Sequence, residues 1–207
     1  MANRAVFMDR DGTINEEVGY VNHLERFFLL PRVAEAIRLL NQRGLKTVVV
    51  TNQSGVARGY FPESLVSLVH RKMEDLLKKE GARLDGIYYC PHHPGEGRPP
   101  YRLKCRCRKP DTGMIEAASK ALDLDCSKSY VIGDRGKDLE FAHRIGAKGI
   151  LVLTGYGRGE WEYCQDQWKV KPDWVAQDLY EAVQWILRQE SEEPSNSPGT
   201  PCVEKGG

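Results

Sequence analysis

The stretch Ala5-Val6-Phe7-Met8-Asp9-Arg10-Asp11-Gly12-Thr13 decides the fold, because an apolar strand leads directly into two carboxylates one residue apart. Burying two acids at the tip of such a strand costs free energy unless a cation or a reacting group compensates their charge. An Asp-Gly pair is also typical of an ordinary turn. The stretch therefore predicts a first strand at 5–8, with Asp9 and Asp11 as candidate catalytic residues at its carboxyl end.

The rest of the chain alternates apolar runs with amphipathic helical patterns. The apolar runs predict strands at 46–50, 86–89, 130–132 and 149–153. The amphipathic patterns predict helices at 33–42, 62–79, 113–121, 139–145 and 179–188. Because strands that alternate with helices form right-handed crossovers, we expect an α/β fold with a doubly wound, Rossmann-like parallel sheet.

Length, charge and composition narrow the class of protein. The 207 residues are enough for one sizeable core, and a formal net charge of +1 creates no global field that attracts nucleic acid or anionic membranes. Because the N-terminal residues lead at once into the first strand, we expect a soluble, cytoplasmic protein with no membrane association. Ser, Pro, Glu and Gly dominate 190–207, which predicts one domain over 1–189 and then a disordered tail.

Polar residues follow two other predicted strands and one loop. Thr51-Asn52-Gln53-Ser54 follows the second strand, and Gly133-Asp134 follows the fourth, with Asp138 shortly after it. Arg108-Lys109 precedes Pro110 at the start of a helix, where backbone N–H groups favour anions. Singly, each of these groups fits a helix cap, a turn or a solvated charge. Together they predict a ligand crevice, because the carboxyl ends of parallel strands open onto the same edge of the sheet.

These motifs, in this order, resemble the haloacid dehalogenase superfamily of phosphotransferases. The resemblance covers roughly 6–153 and implies hydrolysis of a phosphate ester through an aspartyl-phosphate on Asp9. It implies that Asp11 first protonates the leaving oxygen and then deprotonates the attacking water. It also implies Mg²⁺ bound by the side chains of Asp9 and Asp134 and by the backbone carbonyl of Asp11.

The same resemblance assigns the groups that surround the phosphate. It implies that the hydroxyl of Thr51 and the N–H of Asn52 donate hydrogen bonds to the phosphoryl oxygens. Lys109 would offset the charge of the phosphoryl group. Asp138 would not touch the metal itself but would contact the residues that do and help to orient them.

A second metal site is predicted from Cys90-Pro91-His92-His93 and Cys105-Arg106-Cys107. Two ligand pairs separated by a loop suit a tetrahedral, structural zinc site, although a few thiols in a loop are the simpler explanation. Spacing alone does not separate His92 from His93. We choose His92, because Cys-x-His then mirrors Cys-x-Cys. The predicted zinc ligands are Cys90, His92, Cys105 and Cys107.

The zinc loop, Gly19-Tyr20-Val21 and Thr51-Asn52-Gln53-Ser54-Gly55 narrow the resemblance to the D-glycero-D-manno-heptose 1,7-bisphosphate 7-phosphatases. These enzymes are capless, and because many capless relatives are monomers we expect a monomer here. The resemblance implies release of heptose 1-phosphate during synthesis of nucleotide-activated heptose for lipopolysaccharide. Arg108 is suited to grip the remote phosphate of such a phosphosugar, which favours a bisphosphate substrate. The resemblance assigns substrate contacts to Glu17, Val18, Gly19, Tyr20, Asn52, Gln53, Ser54, Arg108 and Arg135.

Three alternatives remain open. Histidinol-phosphate phosphatases share the two aspartates and the zinc loop. A DNA 3′-phosphatase would show steep salt dependence, but the basic loop contains a single aromatic residue, Tyr101, which favours a small phosphorylated molecule over nucleic acid. A zinc-stabilised binding module without activity would show no turnover at all.

Overall fold

A single parallel sheet forms the centre of the computed structural model, which describes residues 2–192. Its strands are β1 (Ala5–Met8), β2 (Lys46–Asn52), β3 (Gly86–Cys90), β4 (Tyr130–Gly133), β5 (Lys148–Val152) and β6 (Trp174–Ala176). The six strands lie in the order β3-β2-β1-β4-β5-β6, and every pairing is parallel. The order reverses beside β1, so the crevice expected for such a sheet opens where Asp9 and Asp11 lie.

Helices cover both faces of the sheet. They are α1 (Val33–Gln42), α2 (Glu63–Lys79), α3 (Gly113–Leu122), α4 (Gly136–Arg144), the single turn α5 (Gly157–Gly159) and α6 (Leu179–Glu192). The core against α1, α2 and α6 contains Val6 and Met8 of β1, whereas the core against α3 and α4 contains Ala5 and Phe7. Because successive side chains of β1 enter opposite cores, the strand is buried on both faces and its end is held rigidly. The predicted doubly wound α/β fold is confirmed.

Several strand and helix ends differ from the sequence prediction by one or two residues, and three differences are larger. Strand β6 was not predicted, because three residues at the edge of a sheet are too short for a periodic pattern. Helix α4 begins at Gly136 rather than 139, since the carboxylate of Asp138 accepts the backbone N–H of Arg135 and caps the helix. Helix α6 continues to Glu192, and the remainder of the predicted tail, 193–207, lies outside the described residues.

Loops rather than a separate domain surround the carboxyl edge of the sheet. Between β1 and α1, the described chain forms loops and one short helical turn, Leu24–Arg26. The capless arrangement that the sequence predicted is therefore what these residues adopt. Within residues 2–192, none of the helices has the length and hydropathy that crossing a bilayer requires.

Candidate active site

A buried lysine joins the end of β1 to the first turn of α4. The Nζ atom of Lys109 lies 3.0 Å from Oδ1 of Asp9 and 2.6 Å from Oδ1 of Asp138. Burial alone disfavours the ammonium form, but the carboxylates of Asp138 and Asp9 outweigh it and raise the pKa of Lys109. The site therefore holds a permanent cation against the candidate nucleophile.

The side chain of Asn52 fixes the loop that carries this lysine. Its Oδ1 accepts the backbone N–H of Lys109 at 3.0 Å, and its Nδ2 donates to the backbone carbonyl of Lys109 at 3.2 Å. Asn52 was predicted to bind substrate, with its backbone N–H donating to the phosphoryl group, and this stays a prediction. Its side chain is engaged with the protein backbone, and the residue also lines the cavity described below.

Three carboxylates crowd together beside Lys109. Ligand oxygens of Asp9, Asp134 and Asp138 all lie within 4.8 Å of one another. Burial, followed by the charges of Asp9 and Asp138, raises the pKa of Asp134 to about 8. Burial also raises the pKa of Asp9 to about 6, even though Lys109 opposes the shift. One lysine does not compensate this concentration of negative charge, and a divalent cation would relieve it.

Two glycines leave room around Asp134. A Cβ atom on Gly12 would lie 2.2 Å from Oδ2 of Asp134, and one on Gly155 would lie 2.3 Å from the same oxygen. That oxygen accepts the backbone N–H of Tyr156 at 2.8 Å. No functional role was predicted for Gly155, because only the fold brings its loop back to the end of β1.

Asp11 is held by a fully buried arginine that sequence analysis did not single out. Arg10 is 1% exposed, and its Nη2 donates to Oδ1 and Oδ2 of Asp11 at 2.9 and 2.8 Å. Asn15 and Gln53 each donate one further bond to Asp11, at 3.0 and 2.8 Å. Burial opposes ionisation, but Arg10 and these amides outweigh it and lower the pKa of Asp11. The carboxylate is thus held ionised, with donors on both oxygens.

His70 of α2 supports Arg10 from behind. Its Nε2 lies 3.3 Å from Nη1 of Arg10. Burial and the neighbouring guanidinium lower the pKa of His70 to about 3, so the ring is neutral and can accept this hydrogen bond. The sequence did indicate that Arg10 needs supporting contacts, since an arginine between two aspartates at the end of a buried strand is a charge that requires hydrogen-bond partners.

Thr51 and Gln53 form a second polar layer at the end of β2. Oγ1 of Thr51 accepts a hydrogen bond from Nε2 of Gln53 at 2.9 Å, which leaves the hydroxyl proton available to a ligand. Gln53 lines the cavity described below, and its predicted contact with substrate stays a prediction. Its amide also connects Thr51 to Asp11 and accepts from Arg10 at 3.0 Å, so it orients the candidate catalytic groups.

A cavity of about 300 Å³ opens over these groups. Predicted residues in its wall include Asp9, Asp11, Glu17, Gly19, Tyr20, Thr51, Ser54, Arg108, Lys109, Asp134, Arg135 and Asp138. Val18 does not line the cavity, because its side chain packs against the core, so the structure does not place this predicted substrate residue at the site. Val21, from the Gly19-Tyr20-Val21 segment that narrowed the resemblance, also lines the cavity. Arg58, Lys137 and Tyr156 line it and were missed.

Positive charge concentrates in the part of the cavity wall near His93. Arg58, Arg108 and Lys137 line the cavity, and the charges of all three act on this imidazole. Burial and then Arg108 and Arg58 lower the pKa of the nearby His93. Arg135 lies with its guanidinium 3.8 Å above the ring of Tyr156. The cavity therefore joins an anionic floor, suited to a metal, to a cationic rim, suited to an anion.

The predicted zinc ligands come together in the loop after β3. Ligand atoms of Cys90, His92, Cys105 and Cys107 lie within 4.8 Å of one another, and Nδ1 of His92 is 3.4 Å from Sγ of Cys107. Burial and the adjacent Cys107 raise the pKa of Cys90. His93 is engaged elsewhere, because its Nδ1 accepts the backbone N–H groups of Gly95 and Glu96. The geometry thus separates the two histidines, which spacing did not.

Comparisons with known proteins agree with this architecture. A family model described as HAD-hydrolase-like matches residues 106–182. The D-glycero-D-manno-heptose-1,7-bisphosphate 7-phosphatase of Thermosynechococcus vestitus is 41% identical over 90% of this chain and 96% of its own length. The D-glycero-beta-D-manno-heptose-1,7-bisphosphate 7-phosphatase of Escherichia coli K12 is 39% identical over 90% of this chain and 95% of its own length.

A solved structure is similar over the whole domain. The D,D-heptose 1,7-bisphosphate phosphatase from B. bronchiseptica, complexed with magnesium and phosphate, has a TM-score of 0.78 at 32% identity, covering 90% of this chain and 99% of its own. Fold and site together define a phosphohydrolase of the haloacid dehalogenase type. The chain belongs to the haloacid dehalogenase-like hydrolases, in the same family as the heptose bisphosphate phosphatases just named. The resemblance drawn from the sequence motifs is confirmed.

Proposed function

We propose that this protein hydrolyses the 7-phosphate of D-glycero-D-manno-heptose 1,7-bisphosphate and releases heptose 1-phosphate and inorganic phosphate. One observation carries the proposal: phosphatases with this named activity match the chain at 39–41% identity over at least 95% of their own length. The cavity supports it further, since it contains both the carboxylates and a group of cationic side chains, which suits a substrate with two phosphates.

Asp9 is proposed as the nucleophile. One of its carboxylate oxygens forms a bond to phosphorus while the bond from phosphorus to the sugar oxygen breaks, which yields an aspartyl-phosphate and a sugar alkoxide. Lys109 supports this step in two ways. It keeps Asp9 ionised against the effect of burial, and its ammonium offsets charge on the phosphoryl oxygens.

Asp11 is proposed as the acid and base. Asp11 must take up a proton from solvent before the first step; it gives that proton to the departing sugar oxygen and later takes one from the water that opens the aspartyl-phosphate. In the structure its oxygens accept from Arg10, Asn15 and Gln53, which favours the ionised form needed in the second step, so protonation of Asp11 is a free-energy cost of the first step. The hydroxyl of Thr51, oriented by Gln53, is proposed to donate to the phosphoryl group.

The residues at the ends of β1 and β4 fit Mg²⁺. Asp9 and Asp134 supply the hard oxygen ligands that this ion prefers, and the raised pKa of Asp134 indicates a carboxylate that lacks a counter-cation. Gly12 and Gly155 leave beside Asp134 the space that a side chain would fill. The proposed ligands are Asp9, Asp134 and the backbone carbonyl of Asp11. Bound there, Mg²⁺ would supply charge compensation for the phosphoryl oxygens. Asp138 is proposed to hold Lys109 rather than the metal.

The second metal is proposed to be a structural Zn²⁺ on Cys90, His92, Cys105 and Cys107. Three thiols and one imidazole are the donors that zinc favours, and four protein ligands leave no position for a reacting water. The loop that they fix continues directly into Arg108 and Lys109. A zinc ion would therefore anchor the segment that delivers the buried lysine to Asp9.

Phosphate release over a set of esters tests the proposed function. The set contains heptose 1,7-bisphosphate, fructose 1,6-bisphosphate, histidinol phosphate and an oligonucleotide with a 3′-phosphate, each with and without Mg²⁺. We expect the highest kcat/KM for the heptose ester, dependence on Mg²⁺, and retention of the 1-phosphate in the product by ³¹P NMR. Asp9→Asn is the matched inactive control, because it keeps the shape of the side chain.

The other outcomes are equally informative. A preference for histidinol phosphate would overturn the assignment of substrate but keep the mechanism. Turnover of the oligonucleotide that falls steeply with salt would favour a DNA 3′-phosphatase. Undiminished turnover by Asp9→Asn would refute the proposed nucleophile.

A further inference from the structure

A group of hydrogen-bond donors without acceptors lies at the cationic rim. The side chain of Arg58 is 27% exposed and lines the same cavity as the carboxylates. Its Nε is buried and has no hydrogen-bond partner. A buried guanidinium N–H that the protein leaves unpaired costs free energy, so a ligand acceptor is the natural partner to consider.

The neighbouring imidazole does not supply that acceptor. Because Nδ1 of His93 accepts from the N–H groups of Gly95 and Glu96, at 3.2 and 2.9 Å, the ring proton is on Nε2. That Nε2 lies 3.4 Å from Nη2 of Arg58. A guanidinium has donors only, so two donors face each other here and no hydrogen bond joins them. An anion placed against both would satisfy them.

Charge at this rim is only partly balanced. Glu96 lies 3.7 Å from Nη1 of Arg58 and is itself exposed. Arg108 donates from Nη1 to the backbone carbonyl of His92 at 3.1 Å, which uses one donor and leaves its charge without an anionic partner there. Lys137 lines the cavity as well. Three cations around one partly exposed carboxylate leave a net positive rim.

A backbone contact between two loops keeps Arg58 and His93 close to each other. Gly97, in the loop that contains the zinc ligands, has a φ of +86°. A Cβ atom there would lie 1.7 Å from the carbonyl oxygen of Ala57, the residue before Arg58. The two loops therefore pack main chain against main chain, and the spacing of the two donors does not depend on flexible side chains alone.

We propose that Arg58 and the Nε2–H of His93 form an anion-binding subsite, beside Arg108, for the substrate phosphate that is not hydrolysed. This inference rests on the proposed function, because a heptose bisphosphate has such a second phosphate and a monophosphate does not. The pair acts in binding and discrimination, and it has no part in the transfer of the phosphoryl group at Asp9.

Paired substrates and matched variants test the subsite. In the inactive Asp9→Asn background, calorimetry gives Kd for heptose 1,7-bisphosphate, heptose 7-phosphate and inorganic phosphate with Mg²⁺ present. For Arg58→Gln we expect Kd for the bisphosphate to rise at least about tenfold and that for the monophosphate to rise less than about threefold, because one charge-assisted contact is lost. His93→Asn should shift the same ratio in the same direction, since its side-chain oxygen replaces Nδ1 but no donor replaces Nε2–H. Arg98→Gln, which removes an exposed charge of the same loop outside the cavity, should leave the ratio unchanged.

Each remaining outcome decides the matter. Equal weakening of both sugar esters by Arg58→Gln, or no change in either, would overturn the subsite. Weakening of inorganic phosphate alone would mean that the pair holds a free anion and not the substrate. If active wild-type protein preferred fructose esters, the proposed function would fail, yet the ratio of fructose 1,6-bisphosphate to fructose 6-phosphate would still test Arg58.

Discussion

The buried carboxyl of Asp134 makes the stability of the magnesium-free protein depend on pH. Its pKa in the folded protein is about 8, against an ordinary value of 3.8, because burial and the charges of Asp9 and Asp138 disfavour ionisation. A group whose pKa is raised by folding stabilises the protein at low pH, and this contribution is lost as the pH rises towards the folded value. Stability of the metal-free protein should therefore fall between pH 4 and pH 8.

The magnitude follows from the same values. Each pKa unit corresponds to about 1.4 kcal/mol, so the rise in the pKa of Asp134 from 3.8 to about 8 limits the loss of folding stability to about 6 kcal/mol over the whole pH range. Water that enters the site on ionisation reduces this penalty, and we expect a loss of ~3 kcal/mol between pH 5 and pH 8. For a domain of this size that corresponds to a fall in Tm of roughly 6–12 °C.

Thermal melts by circular dichroism, in buffers without added divalent cations or chelators, measure the effect. Asp134→Asn is the matched variant, because it removes the charge and keeps the shape. At pH 8 the metal-free variant should be more stable than the metal-free wild type, and Mg²⁺ should raise the Tm of the wild type only. Parallel pH curves for the two proteins, or a wild-type Tm that rises from pH 5 to pH 8, would refute the reasoning.

Three further changes have defined outcomes. Asp11→Asn should lower kcat by about 10²–10⁴-fold with little change in Tm, since it removes the proposed proton transfer; steady-state phosphate release and a melting curve measure both. Cys105→Ser should lower the bound zinc, read by elemental analysis, and lower stability by about 3 kcal/mol or more; full zinc content would contradict the ligand assignment. Gly155→Ala should raise the Mg²⁺ concentration for half-maximal activity at least about tenfold, because the added Cβ would lie 2.3 Å from Oδ2 of Asp134. An unchanged dependence of activity on Mg²⁺ concentration would show that the space beside Asp134 is not needed for the metal.

Much of the fold was predictable from local pattern. Helix α1 and strand β1 were predicted with the bounds that the structure gives, because each has an uninterrupted periodic pattern with a clear start. The meeting of Asp9, Thr51, Lys109 and Asp134 was also predictable, since strand ends of a parallel sheet share one edge. Short elements were not, and β6 is the example: its three residues depend on pairing with β5 and not on their own pattern.

The residues that orient the candidate catalytic groups were harder to predict from the sequence. Asn52 and Gln53 were expected to touch substrate, because amides at a strand end are typical ligand contacts. Both residues line the cavity, but their side chains also bond to Lys109 and Asp11, and only the distances reveal this. Arg58 was missed, and His93 was considered only as a zinc ligand, for a different reason. Their relation depends on two loops that approach each other through Gly97, and no spacing along the chain encodes that contact.

The paired hydrogen bonds of Asn52 have a consequence for how related chains are judged. Its amide offers the peptide of Lys109 one donor and one acceptor, the same pair that a residue of an adjacent strand would offer across a ladder. Since Cys107, a proposed zinc ligand, lies only two positions earlier, bound zinc would fix the segment at both of its ends. A one-residue insertion there would then draw the ammonium away from Asp9 with every side chain retained. Segment length, and not only residue identity, is thus a criterion for a working phosphatase.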